Sequence, residues 1–178
     1  SAQTTLTSNL VVTNGQSGVM FDINSVTPIS ITDFGLNLDP GTWNIAVYTR
    51  PGTFLGFQNS AAGWSLLFQR NVTSLALNTA TSLGGTSFCI NALTGVYITA
   101  TSGTPTNYQT GPANGFGTLL VGNGTLSIFQ GIGKALGAGN ALFTGANFGG
   151  LTVGATVGRS FSGSITYVQP PAVPTGTG

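Results

Sequence analysis

The chain has 178 residues, of which four are Lys or Arg and three are Asp, so its net charge is +1, and it contains no histidine. Enzymes draw mainly on His, Cys, Asp, Glu and Lys as acids, bases, nucleophiles and metal ligands. The composition therefore predicts a protein that is not an enzyme and has neither a cofactor nor a metal site. It also gives no electrostatic footprint for nucleic acid, and no apolar run is long enough to span a membrane.

Apolar residues alternate along much of the chain, whereas no window shows sustained helical periodicity, so we expect strands throughout. The first strand is predicted from Leu6 to Val12, with Leu6, Leu10 and Val12 on one apolar face. Asn14-Gly15 follows as a strong turn dipeptide. Because this first strand is uncharged and amphipathic, it could complete the sheet of a neighbouring molecule.

The next strands carry the clearest alternation in the chain. One apolar face is formed by Val19, Phe21 and Ile23. Between Ile29 and Leu38 the apolar positions change from odd to even, which predicts a β-bulge near Thr32-Asp33.

Trp43 is in phase with Ile45 and Val47, so we assign its ring to the core. Further strands are predicted over residues 64–77, 86–90, 95–101, 117–121, 125–130 and 160–168. Many short strands separated by turns predict a single all-β domain over residues 1–169, an antiparallel β-sandwich of jelly-roll type. Residues 170–178 are predicted to form an extended tail or linker rich in Pro, Thr and Gly.

Three features resemble reactive sites, and each has a simpler interpretation. The glycines before Lys134 match neither nucleotide-binding pattern and favour a glycine-rich bend. Asp22 and Asp39 could form the carboxylate pair of a glycosidase. A solvated position at a strand end explains Asp22 better, and a turn-capping role explains Asp39 better. The single cysteine, Cys89, lies in an apolar strand pattern and is predicted to be a core residue.

Sugar attachment is expected at four positions. Asn71 and Asn123 each begin an Asn-x-Thr acceptor pattern, and Asn123 is ranked first because a Gly-Asn-Gly turn should project its side chain outward. Thr175 and Thr177 lie beside prolines in a segment of the kind that carries O-linked sugar.

One stretch of the chain resembles a known family. The segments that carry the resemblance are residues 20–23, 29–31, 34–39, 41–42 and 45–53. They resemble a domain of secreted, surface-displayed proteins of environmental bacteria, which often carry a C-terminal sorting signal, and the match extends from about Val19 to Trp64. The resemblance implies an extracellular β-sandwich and no catalytic residues.

These observations favour a non-enzymatic structural subunit of a secreted, glycan-decorated fibre. Copies would join into a helical filament by strand exchange, with residues 1–13 as the donor and Leu6, Leu10 and Val12 as the assembly residues. The tail cannot donate ladder hydrogen bonds at its prolines, which leaves it the role of filling a groove.

Two other functions remain open at this stage. The first is a carbohydrate-binding module, in which Trp64 would be an exposed, sugar-stacking ring. The second is a jelly-roll coat protein of a virus or compartment, which low charge does not exclude. An exposed aromatic row would favour the binding module, closed point-group symmetry the coat protein, and a helical repeat the fibre.

Overall fold

The computed structural model describes residues 2–111, 115–151 and 157–170. Within these ranges the chain forms sixteen β-strands and one short 3-10 turn, Ala138–Asn140. In chain order the strands are β1 Gln3–Thr7, β2 Asn14–Gln16, β3 Gly18–Ser25, β4 Ile29–Leu36, β5 Gly41–Pro51, β6 Ser65–Ser74, β7 Thr81–Ser82, β8 Phe88–Ile90, β9 Thr94–Ala100, β10 Thr106–Thr110, β11 Leu119–Gly122, β12 Leu126–Phe129, β13 Ile132–Lys134, β14 Asn147–Phe148, β15 Arg159–Phe161 and β16 Gly163–Val168.

The strands form two main sheets and one short sheet. The small sheet has the order β1-β16-β4, and β7 and β8 both pair with β4. The large sheet has the order β11-β12-β3-β9-β5-β6, and β13 and β14 extend it beside β3. The short sheet is β15-β10-β2. Each of these pairings is antiparallel.

The main hydrophobic core lies between the small and large sheets. The small sheet contributes side chains of β1, β4 and β16, and the large sheet contributes side chains of β3, β5, β9 and β12. Val19, Phe21 and Ile23 are among them, as their alternation predicts, and Trp43 packs against the same cluster. The predicted all-β, antiparallel β-sandwich is confirmed.

A second hydrophobic core covers the outer face of the large sheet. Its buried members are Met20, Phe54, Tyr97, Phe116, Ile132 and Phe143. The loops over residues 52–64 and 135–146 supply Phe54 and Phe143, so these loops close over the sheet. As a result, nearly every residue of β3 and β9 is buried on one face or the other.

The bulge predicted near Thr32-Asp33 is confirmed. On β16, Thr166 pairs with Asp33, whereas the next residue, Tyr167, pairs with Ile31. Thr32 is therefore the extra residue of β4, and its insertion returns the apolar residues on both sides of it to the same core.

Three local predictions are wrong. The first strand is Gln3–Thr7 and not Leu6 to Val12, because the ladder to β16 ends at Thr7. Asn14-Gly15 lies in β2 and pairs with β10, and the backbone there approaches Thr106 too closely for a side chain at Gly15. Lys134 ends a strand, β13, instead of following a glycine-rich bend, because residues 132–134 pair with β3.

Gly131 lies where its backbone passes close to that of β3 in the large sheet. A Cβ at this position would lie 1.9 Å from the carbonyl oxygen of Met20 and 2.8 Å from the Cα of Phe21. Because both obstacles are backbone atoms, we predict that Gly131→Ala lowers the free energy of unfolding by about 3 kcal/mol. Chemical denaturation measures this change.

Gly85→Ala is the matched control. A Cβ at Gly85 would have no neighbour within 4 Å, so the free energy of unfolding should change by less than about 1 kcal/mol. Equal effects of the two substitutions would contradict the close approach at Gly131.

Candidate assembly site

The N-terminal strand lies at the edge of the small sheet. In the single chain β1 pairs with β16, from Gln3 opposite Val168 to Thr7 opposite Ser164. Thr5 and Thr166 are direct partners, and their hydroxyl oxygens are 2.9 Å apart. No strand of the described chain pairs with the other edge of β1. The segment predicted to be a donor therefore has one paired edge and one open edge.

The three predicted assembly residues are buried to different degrees. Leu6 belongs to the main core, and Val12 is also buried, but Leu10 is only half-buried. Residues 8–13 leave the ladder, so strict alternation is lost there, and Val11 is 75% exposed. Of the three predicted assembly residues, Leu6 is therefore the one that contributes to the main core from within a strand.

Polar side chains attach residues 8–10 to the rest of the domain. Asn37, which is fully buried, donates from Nδ2 to the carbonyl oxygen of Leu10 at 2.9 Å. Ser162 donates from Oγ to the carbonyl oxygen of Asn9 at 2.7 Å. The hydroxyl of Ser8 donates to the carbonyl oxygen of Phe161 at 2.6 Å. Sequence reasoning missed these groups, because isolated Asn and Ser residues carry no periodic signal.

Trp64 does not form an exposed platform. Its indole ring is half-buried against the second core, in ring contact with Tyr97 and Phe143 at centroid distances of 6.2 and 5.7 Å. Its Nε1–H donates to the carbonyl oxygen of Phe57 at 2.8 Å. The prediction of an exposed ring is therefore wrong, because the loop over residues 52–64 folds onto the large sheet.

The three carboxylates are held by different parts of the fold. Asp22 is buried beneath the loop that begins at Gly52, and it accepts hydrogen bonds from the Thr53 hydroxyl and the Phe54 amide. Burial raises the pKa of Asp22, and these two hydrogen bonds oppose that rise.

The other two carboxylates lie elsewhere in the fold. Asp33 accepts a hydrogen bond from Ser82, and Asp39 accepts one from Asn107. Among the described residues, no three His, Cys, Asp or Glu side chains come together as metal ligands.

Lys134, which was expected in a glycine-rich bend, is fully buried at the end of β13. Its ammonium donates to Asn147 Oδ1 at 2.8 Å, to the Gly145 carbonyl oxygen at 2.9 Å and to Asn59 Oδ1 at 3.2 Å. Burial lowers the pKa of Lys134 to about 8. The lysine joins β13 to both loops that cover the large sheet.

The two Asn-x-Thr patterns lie in different environments. Asn71 is exposed on β6, and its Oδ1 accepts from Asn44 at 3.0 Å. Asn123 is also exposed, but its Oδ1 accepts from the amides of Thr125 and Leu126, and its Nδ2 donates to the Tyr167 hydroxyl at 2.7 Å. Asn123 is therefore exposed, as expected of this turn, but its side chain is held by three hydrogen bonds. Thr175 and Thr177 lie outside the described residues.

Cys89 is exposed, so its assignment to the core is wrong. On β8 the alternating positions Phe88 and Ile90 do not share its face: Ile90 is buried in the main core, and Phe88 packs against that core from a half-buried position. Because successive side chains of a strand point to opposite faces, Cys89 points outward.

Two comparisons with known proteins find no match for the chain. No protein-family model matches it, and a search of curated proteins finds no match. Among the described residues, no helix is long and apolar enough to cross a membrane.

The buried Lys134 makes the stability of the fold depend on pH. Its pKa is about 8 in the folded protein and ordinarily 10.5, so above pH 8 the unfolded chain binds more protons than the folded chain. Folding is therefore favoured as pH rises. We predict that the free energy of unfolding increases by about 1.3 kcal/mol between pH 7 and 9, measured by urea denaturation at pH values below the ordinary tyrosine pKa of 10.0.

Lys134→Met removes this titration and serves as the control. The comparison uses the slope of the free energy of unfolding against pH, so a lower stability of this variant at pH 7 does not affect it. A variant whose stability rises as steeply as that of the wild type would contradict the role of Lys134.

Proposed function

We propose that this protein is a non-enzymatic structural subunit of a secreted, extracellular fibre, in which copies join by exchange of the N-terminal strand and carry glycan. The observation that carries this proposal is the way in which residues 3–10 are held. Their ladder partners, and the groups that bond to the Ser8 hydroxyl and to the carbonyl oxygens of Asn9 and Leu10, lie more than twenty-five positions away along the chain. A neighbouring copy could supply every one of these contacts unchanged.

Exchange needs a segment that can leave its own domain without exposing a large core. Within β1, Leu6 alone is buried, and burial of one leucine is worth about 2 kcal/mol. The backbone ladder and the bonds from Asn37 and Ser162 are regained when the segment binds a neighbour. The free energy that is lost when the segment leaves its own domain is therefore regained when it binds a neighbouring copy.

The edges of the sandwich also favour self-association. β1 carries no charged residue and no proline, which are the residues that soluble proteins use to prevent pairing at a sheet edge. A net charge of +1 leaves little repulsion between copies. A glycan coat would limit side-by-side association of fibres, whereas the low charge gives too little repulsion to do so.

The proposal is tested by a disulfide between β1 and β16. In a Cys89→Ser background, Thr5→Cys and Thr166→Cys place two cysteines at directly paired positions. We predict that monomers oxidised before assembly form no fibres, because the strand is locked to its own chain, and that reduction restores assembly. Electron microscopy and light scattering measure the result.

Oxidation after assembly gives a second, independent result. Fibres formed under reducing conditions and then oxidised should yield covalent multimers if the strand has been exchanged. Thr42→Cys with Thr73→Cys is the matched control, since these residues form a similar hydroxyl pair between β5 and β6. Thr73→Cys also removes the Asn-x-Thr acceptor pattern that begins at Asn71. Assembly of Asn71→Gln is therefore measured in parallel, because this variant loses the pattern alone. Assembly of locked monomers, together with purely intramolecular bonds in fibres, would refute strand exchange.

Glycan attachment is predicted at Asn71 in preference to Asn123. The Nδ2 of Asn123, which is the atom that a glycan modifies, is occupied by Tyr167, whereas that of Asn71 has no hydrogen-bond partner among the described residues. We predict that Asn71→Gln lowers the intact mass of the native secreted protein by one glycan and that Asn123→Gln does not. Native protein of unmodified mass would refute N-linked attachment.

A further inference from the structure

The side chains of Lys134, Asn147 and Asn59 meet where the loop over residues 52–64 contacts β13 and β14. Lys134 Nζ lies 2.8 Å from Asn147 Oδ1 and 3.2 Å from Asn59 Oδ1. Asn147 Nδ2 in turn donates to the same Asn59 Oδ1 at 3.0 Å. Lys134 is directly opposite Asn147 in the ladder between β13 and β14, so the backbone holds the amine and the amide together.

The surroundings of the Lys134 amine suit a nucleophile. Its nitrogen has three acceptors, which are the Gly145 carbonyl oxygen and the two asparagine oxygens. Burial lowers the pKa of Lys134 to about 8, so about a tenth of the molecules hold a neutral amine at pH 7. A neutral amine has only two hydrogens and one lone pair, so one of the three acceptor groups must then face the lone pair.

Asn147 is the better placed of the two side-chain amides for attack by this lone pair. Its Oδ1 makes the shortest contact to Nζ, at 2.8 Å, and a carbonyl bond is about 1.2 Å long, so its Cγ lies within about 4 Å of Nζ. Reacting atoms in productive geometries are about 3–3.5 Å apart, so a small side-chain rotation is sufficient. The Nδ2 of Asn147, which would be the leaving nitrogen, is already held by Asn59.

We propose that Lys134 and Asn147 form an amide bond between their side chains in the folded protein. The lone pair of Nζ attacks Cγ, the bond from Cγ to Nδ2 breaks, and Nδ2 leaves as ammonia. The proton that Nζ loses passes to Nδ2, and Asn59 Oδ1 lies within hydrogen-bond distance of both nitrogens. One amide replaces another, so the reaction needs no oxidant, reductant or cofactor. Ammonia can escape to solvent beside Asn59, which is exposed.

The bond would fasten the base of the loop over residues 135–146, which supplies Phe143 to the second core. The chain has a single cysteine and so cannot form an internal disulfide, whereas this amide gives it a covalent link that restricts the unfolded chain in the same way. The pH dependence of stability predicted for Lys134 belongs to the chain before the bond forms, because an amide nitrogen does not titrate. The link goes beyond the proposed function and does not depend on exchange of β1.

Mass spectrometry of the full chain tests the proposal. Freshly refolded protein is incubated at about pH 9, where most of the Lys134 amines are neutral. We expect the intact mass to fall by the mass of one ammonia molecule. Trypsin should no longer cleave after Lys134, because its side chain has become an amide, so residues 71–159 should appear as one peptide that has lost ammonia.

Three variants and one solvent condition serve as controls. Asn147→Ala removes the amide that is attacked and should keep both its mass and its cleavage after Lys134. Asn59→Ala should slow the reaction, because the leaving nitrogen loses its partner. Asn91→Ala changes an exposed asparagine on another loop and should react as the wild type does. Wild-type protein kept in urea should not react, because the fold brings the two groups together.

Three results would overturn the inference. The first is an unchanged mass after incubation of the folded wild type. The second is loss of ammonia with normal cleavage after Lys134, which would place the loss at another asparagine. The third is a crosslink from Lys134 to a peptide that contains Asn59, which would exclude Asn147 as the partner. None of these results bears on fibre assembly, which the disulfide between β1 and β16 tests separately.

Discussion

The burial of the large sheet on both faces is the constraint on which the rest of the structure depends. Its inner face is covered by the small sheet, and its outer face is covered by the loops over residues 52–64 and 135–146. Loops that cover a sheet must satisfy their backbone polar groups without water. Asp22 and Lys134 do this from beneath, since Asp22 accepts from the amide of Phe54 and Lys134 donates to the carbonyl oxygen of Gly145.

This double burial also decides which parts of the fold could be predicted from the sequence. Strands of the small sheet alternate clearly, so β4 and even its bulge at Thr32 could be predicted. Strand β10 was missed, because its sequence of Thr106 to Thr110 is mostly polar and its pairing depends on β2 and β15. Strand β13 was mistaken for a bend, since Gly131 packs against the backbone of Met20 and Gly133 packs against the Tyr108 side chain, and both contacts leave no room for a Cβ.

The candidate assembly site was predictable only where apolar residues carry it. The alternation that includes Leu6 identified the first strand, although its bounds were displaced. The attachment of residues 8–10 by Asn37 and Ser162 depends on partners far away in the chain, which a local pattern does not register. Cys89 was misplaced for a related reason, because its neighbours Phe88 and Ile90 made the whole strand appear internal.

The charged side chains of this protein take neutral partners. Asp22, Asp33 and Asp39 accept from hydroxyl and amide groups, and Lys134 donates to carbonyl oxygens. Arg70 likewise donates to the carbonyl oxygen of Gly85. Dissolved ions weaken attraction between opposite charges far more than they weaken bonds between a charge and a buried dipole. Screening of charges by salt should therefore take little stability away from this fold.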